Sequence, residues 1–268
     1  MSERPMSLLA GLGREGRSLR RQANVIDCHA HMGPCLGFDC PGSSVEEMVK
    51  TMDRVGIEKA CVSHNLAIGP DFKLGNRLVH EAVKKYPNRF IGYAVINPNY
   101  PEDIENELDL CFRDYGMRAI KFHGELHKYA LDGENYRRVL DFAESESLTI
   151  LCHGLGKFKT LCELSSEYKN VNFLIAHYGT WDMRTLPEVI EVASKAPNVF
   201  LDSSGSVDWF GGFDEVVLKV GDKKMLFGSD FPWGNLPFTM GRVLLSRISD
   251  EKKRRILGEN ANAILRID

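Results

Sequence analysis

One pattern recurs along the whole sequence of 268 residues and constrains the fold most strongly. A short apolar run typical of a buried β-strand is followed by a turn and then by an amphipathic stretch typical of a helix. Strands that alternate with helices predict a parallel sheet, because parallel neighbours need crossover connections. Eight such units in about 250 residues close into a (β/α)8 barrel. The predicted strands are residues 24–27, 58–63, 89–96, 117–123, 148–153, 171–177, 198–203 and 223–229.

An open, doubly wound sheet is the main alternative to this distorted TIM barrel. It would place a glycine-rich phosphate turn directly after the first strand. The sequence there is Asp27-Cys28-His29-Ala30-His31, which has no such glycines. No linker or change in composition divides the chain, so we expect one barrel domain over residues 1–268. Residues 1–22 lack a clear pattern and are expected to form an N-terminal extension outside the barrel.

Composition excludes several classes of protein. Lysine and arginine number 34 against 37 aspartates and glutamates, so no general positive charge favours nucleic-acid binding. No apolar run approaches the ~20 residues needed to span a bilayer. Seven cysteines without CxxC pairs indicate reduced thiols rather than a disulfide scaffold. We therefore expect a cytoplasmic protein that acts on a small molecule, with neither nucleic acid nor membrane as partner. A homodimer is one option, although no helix face marks an interface.

Histidines collect at the predicted C-terminal ends of the strands. The chain has eight histidines, and most of them lie at or just past such an end. In a barrel these ends form the active-site face, because the loops that follow the strands gather there. The histidines are residues 29, 31, 64, 80, 123, 127, 153 and 177.

Five residues together predict a metal centre at this face. His29 and His31 are two residues apart, so on one strand they share a face. His153 ends the fifth predicted strand, His177 ends the sixth, and Asp230 follows the eighth. Each residue alone is more often a packed histidine or a helix-capping aspartate. Imidazoles and a carboxylate delivered to one rim by several strands indicate a divalent ion, which such ligands bind well.

The order of these motifs resembles the amidohydrolase superfamily. It is closest to the amidohydrolase-related branch that includes aminocarboxymuconate-semialdehyde decarboxylase. The resemblance runs from about residue 24 to 266, and the tail over 256–265 is similar to that branch's usual ending. The motifs that carry it are Ile-Asp-Cys-His-Ala-His, Leu-Cys-His-Gly, Ile-Ala-His-Tyr-Gly, Val-Phe-Leu-Asp-Ser-Ser-Gly and Leu-Phe-Gly-Ser-Asp-Phe-Pro-Trp.

The resemblance implies the role of each candidate residue. His29, His31, His153 and Asp230 match the family's metal ligands. His177 matches a histidine that contacts the metal-bound water or substrate in mononuclear members and binds a second ion in binuclear members. One ion is favoured over two, since binuclear members usually need a bridging carboxylate or carboxylated lysine on the fourth strand. Zinc is the first expectation for the metal, with manganese, iron and cobalt as alternatives.

The fourth predicted strand leaves the number of ions open. Lys121 and His123 alternate, so both side chains can point inward, and Glu125 follows them. A carboxylated Lys121 or the Glu125 carboxylate would bridge two ions. In the simpler alternative, Lys121 pairs with a buried carboxylate such as Asp27 or Asp202. His123 is then a candidate for contact with the substrate, and His64 at the end of the second strand is a weaker one.

The expected chemistry is hydrolysis by metal-activated water of a small amide, lactone or ester. Asp230 would accept the proton of the attacking water, and His177 would polarise the carbonyl or protonate the leaving group.

The main alternative is non-oxidative decarboxylation of an aromatic or unsaturated acid. This reaction needs an aromatic wall and a cation for the carboxylate, and no arginine lies obviously at the rim. Aromatic residues of the predicted rim loops, which could form the wall, are Phe38, Trp209, Phe210, Phe231 and Trp233. A TatD-type nuclease and a binding protein without catalysis are the remaining options. The lack of a basic excess argues against the nuclease, and the complete ligand set argues against the binding protein.

Overall fold

The strands form a parallel eight-stranded barrel. The computed structural model describes residues 7–17, 19, 22–35, 37–153, 158–179, 184–205 and 211–267. The strands are hydrogen-bonded in sequence order from β1 to β8, with each pair parallel. The predicted (β/α)8 barrel is therefore confirmed. The strands are β1 (Ile26–Met32), β2 (Lys59–His64), β3 (Phe90–Val95), β4 (Ala119–His123), β5 (Thr149–His153), β6 (Asn172–Ile175), β7 (Val199–Asp202) and β8 (Met225–Leu226).

Helices alternate with the strands as the periodicity predicts. Helix α2 begins after Ser44, whose side chain caps the helix by accepting a hydrogen bond from the backbone N–H of Glu47. The α-helices of the described residues are α1 (Leu8–Arg14), α2 (Val45–Val55), α3 (Asn65–Ile68), α4 (Phe72–Lys85), α5 (Ile104–Asp109), α6 (Gly124–His127), α7 (Glu134–Glu146), α8 (Phe158–Glu167), α9 (Leu186–Lys195), α10 (Gly212–Val220), α11 (Leu236–Leu245), α12 (Asp250–Arg254) and α13 (Asn260–Leu265).

The first and last strands differ most from their predicted bounds. Strand β1 continues to Met32, well beyond the predicted end at residue 27, so it carries His29 and His31 within the sheet. Strand β8 is only two residues long, because the chain turns away from the ladder towards Asp230. The barrel closes between them through backbone hydrogen bonds, such as the one that His31 N–H donates to Phe231 O at 2.7 Å.

Other segments also depart from the predicted bounds. The sequence predicts a loop over 64–73, but this segment contains the short helix α3, and α4 begins at Phe72. The sequence also predicts one helix over 102–114, where the structure has a 3-10 turn, then α5, then a π-helical turn that ends at Asp114. Within the predicted extension, α1 packs on α11 and Leu9 is fully buried.

The barrel interior is apolar at its lower end and polar at its upper end. Cys28, Cys61, Tyr93 and Leu151 lie in one buried apolar cluster with Ile264 of α13, which covers that end. The polar residues collect at the opposite end, where the strands finish. The seven cysteines are all free thiols, as expected. None of the described helices is long and apolar enough to cross a membrane.

Candidate active site

Three side chains at the upper end form a group suited to a cation. His29 and His31 on β1 meet Asp230 in the loop after β8, and all three are buried. The two Nε2 atoms are 3.2 Å apart, and Asp230 Oδ1 lies 3.5 Å from that of His29 and 3.3 Å from that of His31. Ligand atoms arranged as a tetrahedron about one zinc-sized ion are about 3.4 Å apart. The described residues therefore fit a divalent ion here.

A tight turn fixes the position of Asp230. Its backbone N–H donates to His29 O at 2.8 Å, and its φ of 59° is in the left-handed region. Gly234 N–H closes the turn onto Asp230 O at 2.6 Å. A Cβ at Gly234 would lie 2.3 Å from Ser229 O, so only glycine fits this turn. The carboxylate is thus held by backbone geometry as well as by its side-chain partners.

The charges of this group favour a cation. Burial lowers the pKa of both His29 and His31, so the imidazoles are neutral and can offer a lone pair. Burial opposes ionisation of Asp230, yet the hydrogen bond to His31 and the neighbouring imidazoles hold its pKa well below the ordinary value. Two neutral imidazoles and one carboxylate are the donor set that zinc and manganese accept.

Hydrogen bonds to β2 and β7 orient the two imidazoles. Ser63 Oγ lies 3.0 Å from His31 Nδ1. Asp202 Oδ2 lies 2.8 Å from His29 Nδ1, on the side of the ring opposite Nε2. Such outer partners fix the ring orientation of metal-binding histidines.

His177 adjoins the group from a strained turn after β6. The predicted sixth strand extends to residue 177, but β6 ends at Ile175 and His177 has a φ of 58°. Its backbone N–H donates to Asp202 Oδ1 at 2.9 Å, which holds the turn. Its ring lies 5.1 Å from that of His29, centroid to centroid, and burial lowers its pKa. Strain of this kind concentrates at functional sites.

A second group of His29, His177 and Asp202 also has its ligand atoms close together. Ser204 Oγ lies 3.0 Å from His29 Nδ1, 2.9 Å from His177 Nδ1 and 2.5 Å from Asp202 Oδ1. The serine hydroxyl therefore already satisfies atoms of all three side chains. Ser204 was not among the predicted site residues, and Asp202 was predicted only as a partner for Lys121. Their signal was the polar run at the end of the seventh predicted strand.

His153 and His123 lie across the barrel from Asp230. Their rings stack with centroids 4.1 Å apart, and His153 also contacts the ring of His177 at 4.8 Å. His153 belongs to neither three-residue group of the described residues, although the resemblance implies that it is a ligand. Burial lowers the pKa of both, so these imidazoles are also neutral. The side chain of Glu125, which was considered as a bridge between two ions, is 59% exposed and lies 3.8 Å from His153 Nδ1. It therefore lies outside the buried groups.

Lys121 is fully buried beneath the site. Its Nζ lies 2.8 Å from His29 Nε2 and can donate to that nitrogen's lone pair. Burial lowers the pKa of Lys121 to about 8, and Asp230 and Asp202 oppose this shift. The ammonium is therefore mainly protonated at neutral pH, and it supplies the buried positive charge that was not evident in the sequence.

His64 and the rim aromatics complete the upper face. His64 caps α3 by accepting from Leu66 N–H, and burial lowers its pKa to about 4. The indole of Trp233 lies 5.3 Å from the ring of His31 at an angle of 31°, and Phe38 meets it edge-on at 5.5 Å. Two other aromatic candidates, Trp209 and Phe210, lie outside the described residues.

Comparison with known proteins agrees with this architecture. The family model for amidohydrolases matches residues 26–267. The chain belongs to the amidohydrolase family. The resemblance seen in the motifs is thus confirmed over almost the whole barrel. A search of curated proteins gives no match to this amidohydrolase.

Solved structures share the fold of this amidohydrolase at low sequence identity. The 2,6-dihydroxybenzoate decarboxylase from Rhizobium has 17% identity and a TM-score of 0.71, covering 91% of this chain and 99% of its own. Dihydroxybenzoic acid decarboxylase from Polaromonas, with bound manganese and 2-nitroresorcinol, has 16% identity and a TM-score of 0.73, covering 91% and 97%. The 5-carboxyvanillate decarboxylase from Novosphingobium aromaticivorans, also with manganese, has 15% identity and a TM-score of 0.76, covering 93% and 98%.

Proposed function

We propose that this amidohydrolase is a metal-dependent, non-oxidative decarboxylase of an aromatic or unsaturated acid. The observation that carries the proposal is the aromatic wall of Trp233 and Phe38 directly beside His31. A flat ring held against an indole lies next to the group that fits a cation. Three of the structural neighbours are decarboxylases of aromatic acids, which supports the same choice. Decarboxylation was the alternative in the sequence analysis, where hydrolysis came first.

His29, His31 and Asp230 would hold the divalent ion, with His153 as the fourth ligand implied by the resemblance. When bound, the ion supplies positive charge that orients the substrate's carboxylate and draws electron density from the ring. Lys121 adds a buried ammonium beside His29. This ammonium supplies the positive charge that decarboxylation needs for the substrate's carboxylate, since no arginine lies obviously at the rim. We propose one zinc or manganese ion.

The reaction breaks the bond between the ring carbon and the carboxylate. Carbon dioxide leaves, and the electron pair that remains on the ring carbon takes up a proton. Asp230 and His177 are the two candidates that carry this proton. Asp230 is ionised and His177 is neutral, so each can deliver a proton only after it has accepted one from the substrate or from water.

Hydrolysis of a small amide, lactone or ester is the second candidate. One observation favours it: Lys121, the lysine of the fourth strand, lies 2.8 Å from His29 Nε2. A carboxylated Lys121 at this place would bridge two ions, as in binuclear members of the superfamily. Two equivalents of metal would therefore favour the hydrolase, whereas one equivalent is compatible with either reaction, so the product decides between them.

The test is metal analysis joined to a substrate screen. The protein is purified without chelators, its metal is measured by mass spectrometry, and it is given hydroxybenzoates, unsaturated acids, lactones and amides. We expect about one equivalent of metal and release of carbon dioxide from an acid, with solvent deuterium on the product carbon. Release of an alcohol or amine would instead establish the hydrolase, and about two equivalents of metal would indicate a carboxylated Lys121 as the bridge. A protein that binds no metal on reconstitution and has no activity would overturn both functions.

We also propose a single domain, a cytoplasmic location and a small-molecule substrate, with a homodimer as one option for assembly. Size-exclusion chromatography with light scattering decides the last point.

A further inference from the structure

The Asp202 carboxylate is the centre of a buried hydrogen-bond hub at the end of β7. Its Oδ1 atom accepts from the backbone N–H of His177 and of Ser204, each at 2.9 Å. Ser204 Oγ approaches the same oxygen at 2.5 Å, and His29 Nδ1 approaches Oδ2 at 2.8 Å. Asp202 and Ser204 are both fully buried, so water does not compete for these positions.

The donor and acceptor roles within the hub follow from counting hydrogens. A backbone N–H can only donate, so Oδ1 of Asp202 is an acceptor. Ser204 must then donate its one hydroxyl hydrogen to Oδ1, because two acceptors at 2.5 Å would repel each other. On the other side of the carboxylate, His29 must carry its hydrogen on Nδ1 in order to donate to Oδ2.

The same count fixes His177. Ser204 donates its only hydroxyl hydrogen to Asp202. Its oxygen can therefore only accept a hydrogen bond from His177 Nδ1, which lies 2.9 Å away. His177 therefore also carries its hydrogen on Nδ1. In a neutral imidazole the other nitrogen, Nε2, then has the lone pair.

We propose that Asp202 and Ser204 are positioning residues that hold both His29 and His177 in the Nδ1–H tautomer. His29 Nε2 then has its lone pair on the side of His31 and Asp230, where a bound cation would take the place of the Lys121 hydrogen bond. His177 Nε2 is held as an acceptor, the form needed to take a proton from a substrate or water. The proposal rests on the proposed function only in that the site binds a metal ion, and it holds for either reaction.

Nitrogen chemical shifts of the histidine rings test the tautomers directly. Metal-free protein labelled with 15N-histidine is measured by NMR near pH 8, where the protonated and unprotonated ring nitrogens have widely separated shifts. His29→Asn and His177→Asn variants assign the signals. We expect both histidines as Nδ1–H tautomers in the wild type. An Nε2–H form at either residue would overturn the proposal for that residue.

Two neighbouring serines provide a matched pair of variants. Ser204→Ala removes the acceptor of His177 but leaves Asp202 for His29, so only His177 should lose its fixed tautomer. Ser203 is equally buried, and its Oγ pairs with the backbone of Gly228 instead of with a histidine. Ser203→Ala should therefore leave both rings unchanged, and Ser204→Thr should restore the wild-type spectrum. Equal spectra for the two alanine variants would contradict the role of Ser204.

Binding of Mn²⁺ alone, measured by electron paramagnetic resonance, gives a second readout that needs no substrate. Asp202→Asn should weaken binding about 10- to 100-fold, because an outer hydrogen-bond partner of a metal-binding histidine is lost. Circular dichroism checks that the variant is folded, and if it is not, the Ser204 series still decides. Unchanged Mn²⁺ affinity in folded Asp202→Asn would overturn the role of Asp202. These results stand even if decarboxylation itself is not found.

Discussion

The two halves of the upper barrel face are built differently. On the side of β1, β7 and β8, the imidazoles of His29 and His31 each have a hydrogen-bond partner behind the ring, Asp202 and Ser63. On the side of β4 and β5, the rings of His123 and His153 lie against each other at a tilt of 32°, and His153 borders the exposed carboxylate of Glu125. His123 Nδ1 accepts from Leu126 N–H of α6. The first half is fixed by side-chain hydrogen bonds between strands, whereas the second combines a ring contact with a local helix cap.

This difference separates two tasks. Rings fixed from behind keep their lone pairs in place without a ligand, which is what a metal site requires. The rings of the second half are expected to contact the substrate instead, because the exposed carboxylate of Glu125 beside them shows that this side opens to solvent. We therefore expect substitutions on the β1 side to change metal binding and substitutions on the β4 side to change substrate binding.

The largest effect is expected for His29→Ala. It removes the imidazole shared by the metal group and the Asp202 hub, so Mn²⁺ affinity should fall at least 100-fold and kcat/KM at least 1000-fold, about 4 kcal/mol of transition-state stabilisation. Metal titration and steady-state kinetics measure the two. His80→Ala, on the outer helix α4, is the control and should match the wild type. Full metal content in His29→Ala would refute the site.

His153→Asn challenges the division between the halves. The family resemblance implies a metal ligand, yet His153 lies in neither of the groups formed by the described residues. We expect Mn²⁺ affinity to fall about tenfold, less than for His29→Ala, since its ring must shift to join the other ligands. Titration of both variants side by side measures the ratio. A loss as large as that of His29→Ala would show that β5 belongs to the fixed half.

Sequence periodicity was enough for the barrel and for most of the residues on its rim. Alternating apolar runs report burial directly, so six strands end within two residues of their predicted C-terminal ends. Histidines placed after those runs had to meet, because the C-terminal ends of parallel strands gather at one face.

Long-range hydrogen bonds could not be predicted in the same way. Ser204 lies 175 positions from His29 in the chain, and no local pattern records which imidazole a serine will contact. The positive φ of His177 also depends on the distant carboxylate of Asp202. Likewise, the depth of Lys121 and the exposure of Glu125 follow from barrel closure and not from their spacing on one strand.

Gly234→Ala tests the rigidity of the β8 side at a distance from the imidazoles. The added Cβ would meet Ser229 O at 2.3 Å, so the turn that holds Asp230 must open. We expect a loss of about 1–3 kcal/mol in unfolding free energy, as for overpacked sites, together with weaker Mn²⁺ binding. Urea unfolding measures the loss of stability.

Gly241→Ala on α11 is the matched control, since nothing lies within 4 Å of its added Cβ. That change should stabilise the helix by roughly 0.5–1 kcal/mol. Equal stability of the two variants would show that the turn is not rigid.

The last effect concerns pH and His64, which belongs to neither half. Burial lowers the pKa of His64 to about 4 from an ordinary value of 6.5. Between these values the unfolded chain binds a proton that the folded protein does not bind. Stability therefore falls as the pH drops from 6.5 towards 4, by about 1.4 kcal/mol per pH unit for this one group.

His64→Asn should remove that part of the slope without removing the helix cap. The asparagine oxygen can accept from Leu66 N–H, as the His64 ring nitrogen does, and it has no proton to gain in this range. Urea unfolding of metal-free protein at several pH values between 7 and 4.5 compares the two chains, with every other histidine common to both. We expect the stability of the wild type to fall more steeply than that of the variant as the pH drops, because only the unfolded wild-type chain gains a proton at position 64. Parallel curves would mean that His64 has the same pKa in the folded and the unfolded chain. The cap would then have to open in the folded protein.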